Sequence, residues 1–234
     1  MRPYFLVTLS AAALSVGAGL IARQRGASAS TPCAAALTSS EGFDETARTV
    51  TRRALQYFVV PIWLGAGVSD WWCHKASGID ETTGLKESAI HLLMMLEAGA
   101  PILAALLIEV DPFILSLMIA VFFLHEATAM WDVSYAVTAR NVSPLEQHVH
   151  SFLEMVPLLG LTLISLLHWR QLEALFGLRL EPPRGLTLKK KPLGAAYVGV
   201  SLGGMLLLEL LPYFEEAVRD WRAHPGRLQP PAAA

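Results

Sequence analysis

The sequence predicts an all-α protein: a polytopic transmembrane bundle of five to six spans, with an antiparallel four-helix core carrying a histidine and carboxylate cluster near one membrane face. Three observations predict it. Hydrophobic residues make up 53% of the 234 and charged residues only 16%, against about 25% charged in an ordinary soluble domain. Apolar runs of the length a bilayer needs, roughly 20 residues, recur along the chain. No barrel-like alternation appears, and a helix satisfies its own backbone hydrogen bonds in lipid.

The first run, "YFLVTLSAAALSVGAGLIA", covers residues 4–22. Charge asymmetry favours an uncleaved span or signal anchor over 1–25 rather than a removed leader. The densest basic loop, 170–191, holds Arg179, Arg184 and Lys189, Lys190 and Lys191, and such loops stay cytoplasmic. Counting back through the spans puts Arg52, Arg53, Arg23 and Arg25 on that same side, with the N-terminus outside. Residues 26–46 are rich in small residues and are expected to form a flexible linker. The bundle then fills 47–218, its further spans falling at 54–72, 85–108, 112 to beyond Asp132, 144–169 and 193–214. The tail 219–234, ending "PGRLQPPAAA", is expected to be disordered.

With this topology, four consecutive helices bring ionisable groups to one end of the bundle. The second span ends there with Asp70 and His74. The third begins there with Glu87 and His91, and carries Glu97 deeper. The fourth ends there with His125, Glu126 and Asp132. The fifth begins there with Glu146, His150 and Glu154. Asp70–His74, Glu87–His91, Glu146–His150 and His150–Glu154 are each four residues apart and share a helix face. His125 and Asp132 are two turns apart. Ionisable side chains are costly in hydrocarbon and face the bundle interior when present. Imidazoles and carboxylates converging from several helices form the pattern of a two-metal site. The expected ligands are Asp70, His74, Glu87, His91, His125, Asp132, Glu146, His150 and Glu154. Glu126 and Glu97 are the candidate catalytic groups, placed to relay protons.

Ordinary roles compete for some of these residues. Ser143, Pro144 and Glu146 read as a capping box. His148 is off the Glu146 face. His168, beside Trp169, reads as an interface anchor, Arg140 as an interface marker, and His224 as part of a polar tail. Asp80 and Glu81 read as a solvated turn, and Glu209 as a carboxyl inside an apolar run. Trp71, Trp72 and Trp131 suit an aromatic belt. Gly199 and Gly203 suit helix packing.

In pattern the cluster resembles that of the ferritin-like di-iron carboxylate proteins, in which four helices supply Glu and His to two irons. The spacing departs from that family: "ESAIH" and "EQHVH" are Glu-x-x-x-His rather than Glu-x-x-His. The histidine boxes of the integral-membrane fatty acid hydroxylases and desaturases are absent.

The expected cofactors are two metal ions, iron first, with zinc or manganese as alternatives. Carboxylate and imidazole without a thiolate cluster suit these metals. The expected function is a membrane oxidoreductase that acts with oxygen on a lipid or other apolar substrate. Its electrons would come from a separate donor protein, since no nucleotide-binding fingerprint appears. A zinc-dependent membrane hydrolase is the alternative, followed by a haem- or metal-binding protein without catalysis. The expected location is an inner or plasma membrane, with the site near the outer face. A net charge of −2 gives no reason to expect nucleic acid, and Cys33 and Cys73 form no metal or disulfide framework.

Overall fold

The computed structural model describes residues 33–183 and 185–231. The expected first span at 4–22 lies outside them, as do residues 26–32. Two compact units divide the chain at Thr46, the second being Ala47–Ala234. Among the described residues the secondary structure is helical, with one isolated antiparallel bridge pairing Ile108 and Leu188. In chain order the helices are α1 (Cys33–Ala54), α2 (Val60–Ser77), the single turn α3 (Ile79–Thr82), α4 (Leu85–Leu107), α5 (Pro112–Ala139), α6 (Pro144–Leu167), the short α7 (Trp169–Leu175), α8 (Ala195–Gly204) and α9 (Leu211–Ala223). Wide π-type turns at Leu55–Val59 and Met205–Leu210 join α1 to α2 and α8 to α9 without breaking the rod.

Four helices are long and apolar enough to cross a membrane: Leu85–Leu107, Pro112–Ala139, Pro144–Leu167 and the joined Ala195–Ala223. The expected span at 54–72 is helical but is not among them. The helix α2, which holds its second part and runs on to Ser77, carries Asp70, His74 and Lys75 within eighteen residues.

Local sequence sets the ends of these helices. Pro112 and Pro144 occupy first-turn positions, where a missing N–H costs nothing. Asp111 caps α5 by accepting from the Ile114 N–H at 2.8 Å, and Ser143 caps α6 by accepting from the Glu146 N–H at 3.1 Å. Gly78 ends α2 in the left-handed conformation, φ 64°, which glycine adopts without steric cost.

The bundle is polar inside and apolar outside. Asp70, His74, Glu87, His91, Asp132, Glu146, Glu209 and Glu216 are buried, while Leu96, Phe123, Met155, Val200 and Leu207 are exposed. Apolar packing concentrates in two clusters, one around Ile114, Leu115 and Met118, the other around Val59, Trp63 and Val156. An outward apolar surface of this extent is consistent with hydrocarbon around the bundle.

Two expectations need correcting. The segment 26–46 is not irregular throughout, because α1 already begins at Cys33. Its alanines and Leu37 are good helix formers. The tail 219–234 is not disordered as a whole, because α9 continues to Ala223 and the chain beyond it docks. The Leu228 carbonyl accepts from the Lys86 N–H at 2.8 Å. The Gln229 amide donates to the Tyr135 hydroxyl at 3.0 Å, and His224 lies 3.4 Å from Glu81. Composition alone made this stretch look unstructured; its backbone finds partners in the α3–α4 turn.

That turn depends on Gly84, at φ 64° and ψ −161°, a region open essentially to glycine. A Cβ there would also sit 2.8 Å from Pro230. Gly84→Ala is expected to cost roughly 1–3 kcal/mol, read as a lowered unfolding midpoint in detergent. Truncation after Ala223 should reproduce part of that loss by removing the docked strap.

Candidate metal centre

The fold brings the C-terminal ends of α2 and α5 and the buried face of α9 together with the N-terminal ends of α4 and α6. Glu87 and His91 are the third and seventh residues of α4; Glu146 and His150 hold the same positions in α6. At 1.5 Å per residue, His91 and His150 lie about 9 Å into their helices, and Asp132 about 10 Å from the end of α5. Helix geometry thus puts these side chains at one level.

Two histidines form the centre. The rings of His74 and His91 stack at 4.3 Å with 10° between their planes. Both direct Nδ1 at one carboxylate, that of Glu216: His74 at 3.0 Å to Oε2 and His91 at 2.8 Å to Oε1. The Ser88 hydroxyl lies 3.1 Å from Glu216 and 2.6 Å from Asp220, its one proton serving one of them at a time. A carboxylate accepting from Nδ1–H leaves each Nε2 as a lone pair. The His74 Nε2 lies 3.4 Å from Asp70 and 3.6 Å from Glu146. The His91 Nε2 lies 3.3 Å from Asp132 and 3.9 Å from Glu87. His150 sits between the two halves, Nδ1 3.2 Å from Asp70 and Nε2 3.7 Å from Asp132. The Tyr213 hydroxyl donates to Asp70 Oδ2 at 3.1 Å.

Most of these separations are long for hydrogen bonds, which favour 2.7–3.2 Å. Ligands bound at about 2.1 Å to a shared ion stand roughly 3.0–3.5 Å apart, so the distances suit co-ligands. Five buried atoms here make no hydrogen bond: the His74 and His91 Nε2, Asp70 Oδ1, and both Asp132 oxygens. Buried polar atoms are seldom left so. Three sets have donor atoms close enough to hold an ion: Asp70, His74 and His150; Glu87, His91 and Asp132; and His74, His91 and Glu216. In the third set Glu216 approaches the Nδ1 side, where it can orient both imidazoles from behind.

Arg140 closes the cluster. Its guanidinium pairs with Glu146, at 3.0 Å from Nη1 to Oε2 and by a shorter contact from Nη2, and with Glu87, at 2.6 Å to Oε1 and 3.3 Å to Oε2. Burial works against its charge, but the bonds to Glu146 and Glu87 outweigh this and hold its pKa above the ordinary arginine value. The residue therefore does more than mark an interface. Glu146, for its part, is only half of a capping box, because its carboxylate turns to Arg140 and His74 rather than back to the helix start.

Not every expected residue joins this cluster. His125 lies with Glu97, Nδ1 3.6 Å from Oε2, and Thr128 donates to Glu97 at 3.0 Å. This pair forms a separate polar patch deeper in the bundle. Glu126 is half-buried and Glu154 is exposed. His148 points outward and packs against Phe152. Three residues that were not among the expected site residues belong to its surroundings: Glu216, Tyr213 and Glu209. Glu209, in the π-turn, is fully buried with both carboxylate oxygens unpaired. It lies against Gly67, where a methyl group would overlap its carboxylate.

No family model, curated protein or solved structure matches this chain.

Removing the Arg140 charge leaves Glu87 and Glu146 buried without a cation. Arg140→Gln is expected to cost about 3–5 kcal/mol in detergent unfolding. Arg140→Lys should restore only part of this, since one ammonium cannot serve both carboxylates through a planar fork.

Proposed function

We propose that the chain is a multi-pass integral membrane metalloprotein that holds two metal ions, iron before zinc or manganese. In this reading it works as an oxidoreductase of the hydroxylase or desaturase kind on a lipid or other apolar substrate. The observation that carries the reading is the convergence of unpartnered buried atoms. The unpartnered Nε2 of His74 faces Asp70, that of His91 faces the free Oδ1 of Asp132, and His150 stands between the free Oδ1 of Asp70 and Oδ2 of Asp132. Were both stacked rings imidazolium, like charges would face each other at 4.3 Å; were both neutral, lone pairs would face carboxylates. A cation between them removes both conflicts.

Charge balance points the same way. Asp70, Glu87, Asp132, Glu146 and Glu216 are five buried carboxylates beside one buried guanidinium, Arg140, with Glu209 and Asp220 buried further out. Divalent ions at the two ligand groups would offset this excess of negative charge. Carboxylate and imidazole ligands without thiolate suit iron, manganese or zinc. Iron bound there would supply oxygen activation and electron transfer, with electrons delivered by a separate protein.

The chain's own residues do the rest. Asp70, His74 and His150 form one ligand group; Glu87, His91 and Asp132 form the other. Glu216 fixes the imidazole tautomers, Arg140 holds Glu87 and Glu146, and Tyr213 fixes one oxygen of Asp70. Glu97 and Glu126 are the proton-handling candidates. By the positive-inside rule the basic stretch 170–191 is cytoplasmic and the cluster lies toward the outer face. A single zinc on Asp70, His74 and His150 would suit a hydrolase instead; the second group, Glu87, His91 and Asp132, favours two ions.

Elemental analysis of the detergent-purified protein should give about two irons per chain under this reading. His74→Ala, His91→Ala and His150→Ala should each lower that content. A wild type that stays metal-free after reconstitution would sink the proposal, and one zinc per chain would move it to the hydrolase. Glu216→Gln keeps every ligand and should weaken metal binding about 10–100-fold.

A further inference from the structure

A cavity of about 830 Å³ runs through the bundle, lined by Leu55, Val59, Ile102, Val156 and Ile164 among other apolar residues. Its size is that of a small-molecule site, and its two ends differ in chemistry. One end is ringed by Arg48, Arg52, Lys189, Lys190 and Lys191, with Glu109 as the acidic residue among them. The other end reaches Trp63, Glu97 and His125. On α6 the lining extends from Val156 to Leu167, eleven residues or about 16 Å. That is close to the depth of one leaflet, about half of a 30 Å hydrocarbon core. A smaller cavity of about 40 Å³, lined by Asp70, His91, His150 and Tyr213, shares Trp63, Ala98, His125 and Pro157 with the large one. The apolar channel therefore abuts the histidine cluster.

The basic end is a built feature rather than loose loop charge. The Lys189 N–H donates to the Leu107 carbonyl at 2.9 Å, and the Glu109 N–H to Thr187 at 2.8 Å. The Lys189 ammonium contacts the Ala105 carbonyl, and Glu109 accepts from the Lys190 N–H at 3.0 Å. The local field is positive: burial first, then Lys189 and Arg48, push His168 in the same wall down to about 4.

We infer that this cavity binds a single-chain amphiphile with an anionic head group, a carboxylate or a phosphate. The head group sits among Arg48, Arg52 and Lys189, and the apolar chain extends to the wall shared with Asp70, His91 and His150. Its role as substrate rests on the metalloprotein reading above, whereas its binding does not. One cavity of leaflet depth suits one chain. Arginine forks and lysine ammonium groups recognise carboxylate and phosphate oxygens, and a neutral lipid would leave them unused.

The test is equilibrium binding of radiolabelled hexadecanoate, hexadecyl phosphate and hexadecanol to the full chain in detergent, with metal content measured on the same samples. Expected is one saturable anion site per chain, with hexadecanol at least about tenfold weaker. The double variant Arg52→Gln, Lys189→Gln should bring the anions down to the level of the alcohol without changing metal content. Ala98→Trp, which fills the inner end, should weaken all three. The ranking of the carboxylate against the phosphate separates the two head-group sources. Equal binding of hexadecanol, or no effect of the double variant, would overturn the inference, as would absence of binding by a protein that unfolds cooperatively. Anion binding by a metal-free wild type would sink the metalloprotein reading and leave the amphiphile site standing; metal without anion binding would do the reverse.

Discussion

Everything around the cluster is arranged by one shared acceptor, the Glu216 carboxylate between His74 and His91. Two imidazoles could stack at 4.3 Å in many orientations. With each Nδ1 tied to a different oxygen of the same carboxylate, both rings are fixed and both Nε2 atoms turn to the same side. Their positions then dictate where Asp70, Asp132 and His150 can stand. The Ser88 hydroxyl lies within hydrogen-bond reach of both Glu216 and Asp220, and the last helix acts as a backing plate for groups carried by the earlier ones. A buried network of this kind is favourable only when its members are satisfied. The unpaired atoms of the ligand groups, on His74, His91, Asp70 and Asp132, lie on the opposite, Nε2 side.

Much of this was legible in the sequence because helix periodicity is local. The all-helical class comes from apolar run lengths, and the Asp70–His74, Glu87–His91 and Glu146–His150 pairs from a spacing of four. Periodicity gives faces, though, not the neighbours of a face. His125 shares a side of α5 with Asp132, yet at seven residues' distance it lies about 10 Å along the axis, beside Glu97 rather than His91. Glu154 comes after His150 at the favoured spacing, but each step of four rotates about 40°. By the second step from Glu146 the side chain has turned out of the cluster.

Glu216 was missed for a different reason. The last apolar run ends near Phe214, and the residues beyond it have the composition of a polar tail. Tyr213, Glu216, Ala217 and Asp220 are nevertheless buried on one face of α9, at the spacing of a helix stripe. A stripe mixing Tyr, Glu, Ala and Asp is invisible to a hydrophobic pattern, because its partners are Ser88 and two imidazoles rather than core side chains. Arg140 carried the same ambiguity: a lone arginine after a span reads as an interface anchor until Glu87 and Glu146 are seen to converge on it.

The position of α9 in the chain also bears on biosynthesis. The ribosome makes α2, α4, α5 and α6 first, and with them Asp70, His74, Glu87, His91, Asp132, Glu146 and His150. Glu216 emerges later, behind the long 176–194 connection and α8. Until it docks, the nascent bundle holds imidazoles free to choose either tautomer, with no backing carboxylate to prefer one. On the two-metal proposal, ion capture would be a late event in the life of the molecule. A chain stalled before α9 presents the rest of the site without the group that orients its two central histidines.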